Sequence, residues 1–170
     1  ISEGLVGSEM CIRDSYKIKY KYDSVLWIFD RLVIAVALGG TLVRIGNFFN
    51  SEIVGVFTNS DYGVIFLNRA EVLPRHPAQL YEAFGYIILF VVLMVIYNKT
   101  KLKERKGFIF GFFLMFLFMV RFIVEYVKES QGGLEEQFGI LSTGQWLSIP
   151  FILFGIGLMI KSLLFLNEKK

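Results

Sequence analysis

Ionisable side chains lie inside the long apolar segments of this 170-residue chain. Arg121 and Glu125 are four residues apart in one segment, so a helix places them on the same face. Another segment contains Asp30 and Arg31, and a third contains Glu82 near its start. A charged side chain within a membrane span costs free energy, and it is therefore taken first as a candidate functional residue. The alternative for Arg121 and Glu125 is a buried ion pair that holds helices together. The alternative for Asp30 and Arg31 is that their side chains extend to the membrane interface.

Polar residues are concentrated at the end of the first apolar segment. Arg44 is followed within a few residues by two amides and a carboxylate, Asn47, Asn50 and Glu52. A planar guanidinium can donate two parallel charge-assisted hydrogen bonds to a phosphate. An arginine at headgroup level with amides beside it therefore predicts a phospholipid headgroup site. The alternative is a loop of polar turn residues with an interfacial arginine, and spacing does not separate the two.

His76 is the only histidine of the chain, and it lies between Pro74 and Pro77. An imidazole is suited to proton transfer, but a histidine between two prolines is also suited to holding a turn or capping the next helix. Cys11 is the only cysteine, which excludes an internal disulfide. The sequence contains no Cys/His cluster, so we expect neither a metal nor another cofactor.

Four apolar segments are long enough to span a bilayer as helices, which takes about 20 residues. They cover residues 26–43, 78–97, 107–127 and 145–166. We therefore predict an all-α integral membrane protein with about four transmembrane helices. The linking segment 44–77 is rich in Gly, Asn and Pro and is predicted to be irregular. Its apolar run at 62–67 is expected to be a strand or a re-entrant piece.

The basic residues flank the apolar segments and form no patch of their own, which argues against nucleic-acid binding despite a net charge of +3. They are most frequent before the first segment, between the second and third, and after the fourth. By the positive-inside rule both termini are cytoplasmic, and segments 44–77 and 128–144 face outward.

Residues 1–15 differ in character from the rest of the chain. Their apolar residues follow no regular period, and they lack the features of a signal peptide. The stretch looks like a translated sequencing adapter. We expect this stretch to be non-native and residues 16–170 to be a C-terminal membrane portion whose upstream part is missing.

Four motifs of the chain resemble the prolipoprotein diacylglyceryl transferase family. They are RIGNFFNSEIVG at 44–55, RHPAQLYE at 75–82, RFIVE at 121–125 and TGQWLSIP at 143–150, in the family's order. The chain departs from the family pattern at Val43, Ser51, Val54 and Lys128. The upstream half of the family, with its His-Gly-Gly loop and conserved tyrosine, has no counterpart here.

The resemblance implies transfer of a diacylglyceryl group from phosphatidylglycerol to the lipobox cysteine thiol of a prolipoprotein, the first step of bacterial lipoprotein maturation. It also implies a multi-pass protein of the bacterial cytoplasmic membrane, with its active side facing the periplasm or cell exterior. The signal peptide of the precursor, the lipid donor and the bilayer would be its partners. From the residues alone, a transporter fragment or a non-catalytic membrane scaffold stays open.

The same resemblance assigns roles to individual residues. Arg44 would bind the lipid headgroup, and Arg121 would be a second cation that Glu125 orients. His76 would orient the headgroup, with the general base expected on the upstream half. Asn47, Asn50 and Glu52 would line the polar pocket, and Gly55 would permit its backbone course.

Overall fold

The computed structural model describes residues 25–70, 72–129 and 141–164. Four long helices dominate it: α1 (Val25–Phe49), α2 (Ala78–Lys99), α3 (Phe108–Val124) and α4 (Thr143–Leu164). Each is long and apolar enough to cross a membrane, the third when counted to Val127, and the described residues form no multi-residue strand. The predicted all-α membrane fold is confirmed. The suspected adapter segment lies outside the described residues.

Helix α1 continues six residues beyond its predicted end, so the prediction that the irregular segment begins at Arg44 was wrong. No proline or unfavourable backbone interrupts the helix there. It ends after Phe49, where the amide N–H of Asn50 still bonds the carbonyl of Gly46 at 3.0 Å. Ser51 and Ile53 then adopt positive φ values of 58° and 55°, which a right-handed helix cannot contain. Arg44 therefore projects from a helix.

The segment between α1 and α2 is irregular, as predicted. Isolated antiparallel bridges join Gly55 to Lys128 and join both Phe57 and Val64 to Arg75. The run at 62–67 forms neither a strand nor a long helix. It contributes one bridge and leads into the 3-10 helix Leu67–Arg69. Two more 3-10 helices are described, Lys101–Glu104 after α2 and Glu125–Val127 after α3.

The buried core is small and lies between α1, α2 and α3. Its members are aliphatic and aromatic: Val33, Ala37, Leu89, Leu93, Phe108, Ile109, Phe113 and Leu114. Large apolar side chains also cover the outer faces of the helices, where Leu42 is 62% exposed and Leu153 is 63% exposed. Contiguous exposed apolar surface of this kind fits lipid rather than water as the solvent.

Asp30 caps a helix that is distant in sequence. It is 2% exposed, and its two carboxylate oxygens accept the amide N–H groups of Gly107 at 2.6 Å and Phe110 at 2.8 Å. These bonds satisfy N–H groups at the start of α3 that have no acceptor within the helix, and they place an anion at the positive end of that helix. Arg31 donates to the carbonyl of Trp27 at 3.0 Å. Both residues thus have structural roles.

Helices α3 and α4 pack with their backbones close together at Gly111 and Gly155. A Cβ atom at Gly155 would lie 2.6 Å from the carbonyl oxygen of Gly111 and 2.8 Å from the amide nitrogen of Met115. Small residues allow this kind of close approach between membrane helices.

We expect Gly155→Val to destabilise the protein by about 1–3 kcal/mol, because the added methyl groups force the two backbones apart. Gly157→Val is the matched control on the same helix, where an added Cβ meets nothing within 4 Å. Thermal unfolding in detergent measures the difference. Equal shifts for the two variants would show that helix propensity, rather than the crossing, sets the effect.

Candidate functional site

A buried ion pair joins α1 to α2. Arg44 Nε lies 2.8 Å from Glu82 Oε2, and the two side chains are 13% and 1% exposed. The contact is ionic, since neither Glu82 oxygen accepts a well-aligned hydrogen bond. One helical turn further along α2, the Tyr86 hydroxyl lies close enough to the Arg44 guanidinium to interact with it electrostatically. Arg44 is therefore held from the α2 side before any ligand binds.

Lys128 extends this pair into a chain of alternating charges. Its Nζ lies 3.8 Å from Glu82 Oε1 and 3.6 Å from Glu125 Oε2, and its side chain is 7% exposed. In the sequence, Lys128 is marked only as a departure from a motif and Glu82 only as a charge within a predicted span. The spacing of three residues between Glu125 and Lys128 was the available signal.

Arg121 lies one turn before Glu125, yet no ion pair joins the two side chains. Its Nε is buried, and the described ranges provide it with neither a hydrogen bond nor a carboxylate within pairing distance. It is close enough to act electrostatically on the Tyr86 hydroxyl. The described residues therefore do not show an Arg121–Glu125 ion pair that holds helices together, which was the alternative reading of these two residues. The orienting role expected for Glu125 stays a prediction.

The first turn of α4 packs against the Glu125 carboxylate. A Cβ atom at Gly144 would collide with that carboxylate, so a side chain there would require the Glu125 carboxylate to move. The Gln145 side chain accepts the Ser142 amide N–H at 3.1 Å and donates to the Phe122 carbonyl at 3.4 Å. The motif at 143–150 thereby fixes the position of Glu125 at the positive end of a helix.

The remaining predicted pocket residues surround this chain of charges less closely. Asn47 is half-buried, whereas the side chains of Asn50 and Glu52 are exposed. Among the described residues, no side-chain hydrogen bond or ion pair connects these three to the chain of charges. The Glu52 carbonyl accepts the Gln79 side chain at 2.6 Å, which attaches this loop to α2.

Gly55 lies at a junction of three chain segments. Its amide N–H bonds the carbonyl of His76 at 2.9 Å, and the next amide bonds the carbonyl of Val127 at 2.9 Å. A Cβ atom at Gly55 would lie 2.6 Å from each of these two carbonyl oxygens. Only glycine fits, which agrees with the expectation that Gly55 permits the local backbone course.

His76 contacts Tyr81 rather than the charged residues. Its Nδ1 lies 3.2 Å from the Tyr81 hydroxyl, and its main chain pairs with that of Gly55 and Val56. No hydrogen bond joins its ring to Arg44 or Glu125. The structure therefore keeps His76 at the edge of the site.

Arg75 was missed by the sequence analysis. It is 4% exposed, donates to the Gly55 carbonyl at 3.0 Å and pairs with Glu129 at 3.1 Å. Its guanidinium also covers the Phe57 ring at 3.8 Å. These contacts hold the junction together, and no pattern in the sequence separates Arg75 from a surface arginine.

The cluster carries unequal charge. Among the described residues, the cations Arg44, Arg121 and Lys128 outnumber the carboxylates Glu82 and Glu125 by one positive charge. In a membrane span this excess favours binding of one anionic group. No group of three or more His, Cys, Asp or Glu side chains that could hold a metal ion occurs within 25–70, 72–129 and 141–164.

Comparisons with known proteins identify one family. A family model described as prolipoprotein diacylglyceryl transferase matches residues 9–161. The match begins inside the suspected adapter segment, whose origin stays a prediction. Three relatives carry the name phosphatidylglycerol–prolipoprotein diacylglyceryl transferase, and they come from Tolumonas auensis, Bacteroides fragilis and Chloroherpeton thalassium.

The relatives are similar over most of this chain. The Tolumonas protein is 50% identical over 137 residues, which is 81% of this chain and 52% of the relative. The Bacteroides protein is 41% identical over 143 residues, covering 84% and 50%. The Chloroherpeton protein is 40% identical over 139 residues, covering 82% and 51%. The chain thus spans about half the length of these curated relatives. No solved structure matches.

Proposed function

Because the chain belongs to the prolipoprotein diacylglyceryl transferase family, we propose that it forms the phosphate-binding part of such an enzyme. The reaction transfers the diacylglyceryl group of phosphatidylglycerol to the lipobox cysteine thiol of a prolipoprotein. The observation that carries the proposal is the cluster of charged side chains, in which the described residues have an excess of one positive charge that complements the single negative charge of a phosphodiester.

In this mechanism the lipid phosphate enters beside Arg44 and Arg121. Arg44 is already oriented by Glu82 and Tyr86, so little ordering is needed when the headgroup binds. As the sulfur–carbon bond forms, the bond between the glycerol carbon and the phosphate oxygen breaks. Glycerol phosphate leaves with both electrons of that bond, and the cations stabilise its charge. The attacking sulfur is a thiolate, and we name no base for its proton.

The other predicted residues have supporting roles in the proposal. Glu125 holds Lys128 and keeps the end of α3 in place, and the exposed Asn50 and Glu52 side chains face the incoming headgroup with Asn47. His76 orients that headgroup from the edge of the site. The site faces the periplasm or cell exterior of a bacterial cytoplasmic membrane, the side to which the precursor's signal peptide delivers its cysteine.

A purely structural role explains the cluster less well. A scaffold would use Arg121 to lock helices, but its buried Nε has no hydrogen-bond partner among the described residues. A buried arginine held without a partner costs free energy and is expected where a ligand completes the pairing.

The test uses the full-length parent protein in membrane vesicles with labelled phosphatidylglycerol and a lipobox peptide. We expect transfer by the wild type and about tenfold slower transfer by Arg44→Lys, because a lysine cannot replace the planar fork of donors. Arg31→Lys is the control, since Arg31 lies about 20 Å away along α1. A well-inserted wild type that transfers no label would overturn the proposal.

A further inference from the structure

A groove between α1 and α2 lies at the opposite end of α1 from Arg44. It has a volume of about 490 Å³, within the range of ligand sites. Its floor is apolar and consists of Ile34, Ala35, Leu38, Phe90 and Met94. Its polar residues, Arg31, Tyr97 and Asn98, all lie towards the start of α1 and the end of α2. The groove is therefore apolar along most of its length and polar at one end. An amphiphilic molecule has the same distribution of apolar and polar groups.

The polar end of the groove is cationic. Arg31 stacks on the Trp27 ring at 3.4 Å from its centroid and lies 5.8 Å from the Tyr97 ring centroid. Lys103 lies 5.9 Å from the same Tyr97 ring. Within the described ranges, no carboxylate pairs with Arg31, because the nearby Asp30 carboxylate is engaged with the amides of α3.

The sequence around this end adds further positive charge. Five basic residues and one glutamate lie between positions 99 and 106, directly after α2. Basic segments at a membrane surface attract anionic lipids, and basic pockets between membrane helices bind their headgroups. Charge complementarity therefore selects an anionic occupant, and the apolar floor selects one with an acyl chain.

We propose that this groove binds one anionic phospholipid of the surrounding bilayer. The phosphate lies between Arg31 and Lys103, and one acyl chain lies along the floor between Ile34 and Leu38 on α1 and Phe90 on α2. The length of α1 from Arg31 to Leu38 is about 10 Å, enough for the upper part of an acyl chain. This site is independent of the transfer site, which lies at the other end of the same helices.

The experiment measures lipid retained by the full-length parent protein after purification from bilayers with equal parts of phosphatidylglycerol and phosphatidylethanolamine of matched chains. All variants carry Arg44→Ala, so that lipid bound at the transfer site is removed. We expect the anionic lipid to be retained preferentially, and Arg31→Gln to reduce its retention about fivefold, the effect of one interfacial charge.

Two tryptophan substitutions separate the groove from the general membrane surface. Leu38→Trp fills the floor and should displace the lipid regardless of its headgroup. Leu153→Trp makes the same change on the exposed face of α4 and should have no effect. Native mass spectrometry counts the bound lipid, and thermal unfolding shows whether each variant is folded.

Equal retention of the two lipids by the parent, or unchanged retention in Arg31→Gln, would overturn the proposal. Absence of retained lipid would do the same and would mean that another part of the full-length protein covers the groove. None of these outcomes alters labelled transfer by a protein with Arg44 intact, so the groove can fail while the proposed transfer activity stands.

Discussion

Replacing Arg121 with alanine is expected to slow diacylglyceryl transfer by about 10²–10³-fold, the cost of removing one group that stabilises charge developing in a transition state. The stability of the protein should change little. Among the described residues, Arg121 makes no ion pair, so its removal leaves no carboxylate without a partner. A large effect on the transfer rate with a small effect on stability is the expected result for a residue whose ionic partner is the bound substrate.

The comparison needs single-turnover transfer rates and thermal unfolding of the same vesicle preparations. Arg121→Lys keeps the charge and should recover part of the rate. Arg69→Ala is the control for loss of an arginine, since Arg69 forms an exposed pair with Glu129 at 3.2 Å. If Arg121→Ala unfolds the protein while the lysine variant transfers no better, Arg121 is a structural residue and its assignment to the phosphate is wrong.

Glu82→Ala is expected to have the largest effect on stability, about 3–5 kcal/mol. Glu82 is 1% exposed and is the only described carboxylate that pairs with both Arg44 and Lys128. Removing it leaves the Arg44 guanidinium without a described carboxylate and leaves Lys128 with Glu125 alone. Because uncompensated charge in a low-dielectric environment is costly, the helix pair α1–α2 should loosen.

Glu82→Gln separates charge from shape, since it keeps the volume and a hydrogen-bond acceptor while losing the charge. Its unfolding temperature should lie between those of the wild type and Glu82→Ala. Glu104→Ala is the matched control, because Glu104 is exposed and forms no ion pair within the described ranges, so its loss should change the free energy of unfolding by no more than about 0.5 kcal/mol. Similar losses for Glu82→Ala and Glu104→Ala would show that water reaches the cluster and that its charge is screened.

The positions of the spans could be predicted because hydropathy and proline placement determine them. Pro77 precedes α2, and the predicted start at residue 78 matches the observed one. The end of α1 could not be predicted in the same way, because Arg44 and Asn47 are polar without being helix breakers. The helix ends only where Ser51 and Ile53 adopt left-handed conformations.

The site was predictable in composition and not in its pairings. Arg121 and Glu125 stood out because charge in an apolar segment is conspicuous, and Arg44 because amides and a carboxylate follow it. Their partners depend on how α1, α2 and the 3-10 helix after α3 meet, which no local pattern encodes. Lys128 therefore emerged as a central residue only in the structure, as did the contact between Glu125 and the first turn of α4.

The helix cap formed by Asp30 has a consequence for biogenesis. Asp30 precedes Gly107 by 77 residues, so α1 leaves the ribosome long before the helix end that it caps. Until α3 follows, the Asp30 carboxylate lies beside Arg31 near the interface and has water and headgroups as its partners. The arrival of α3 replaces these partners with the amide groups of Gly107 and Phe110. The contact between α1 and the first turn of α3 therefore forms late in the assembly of the protein.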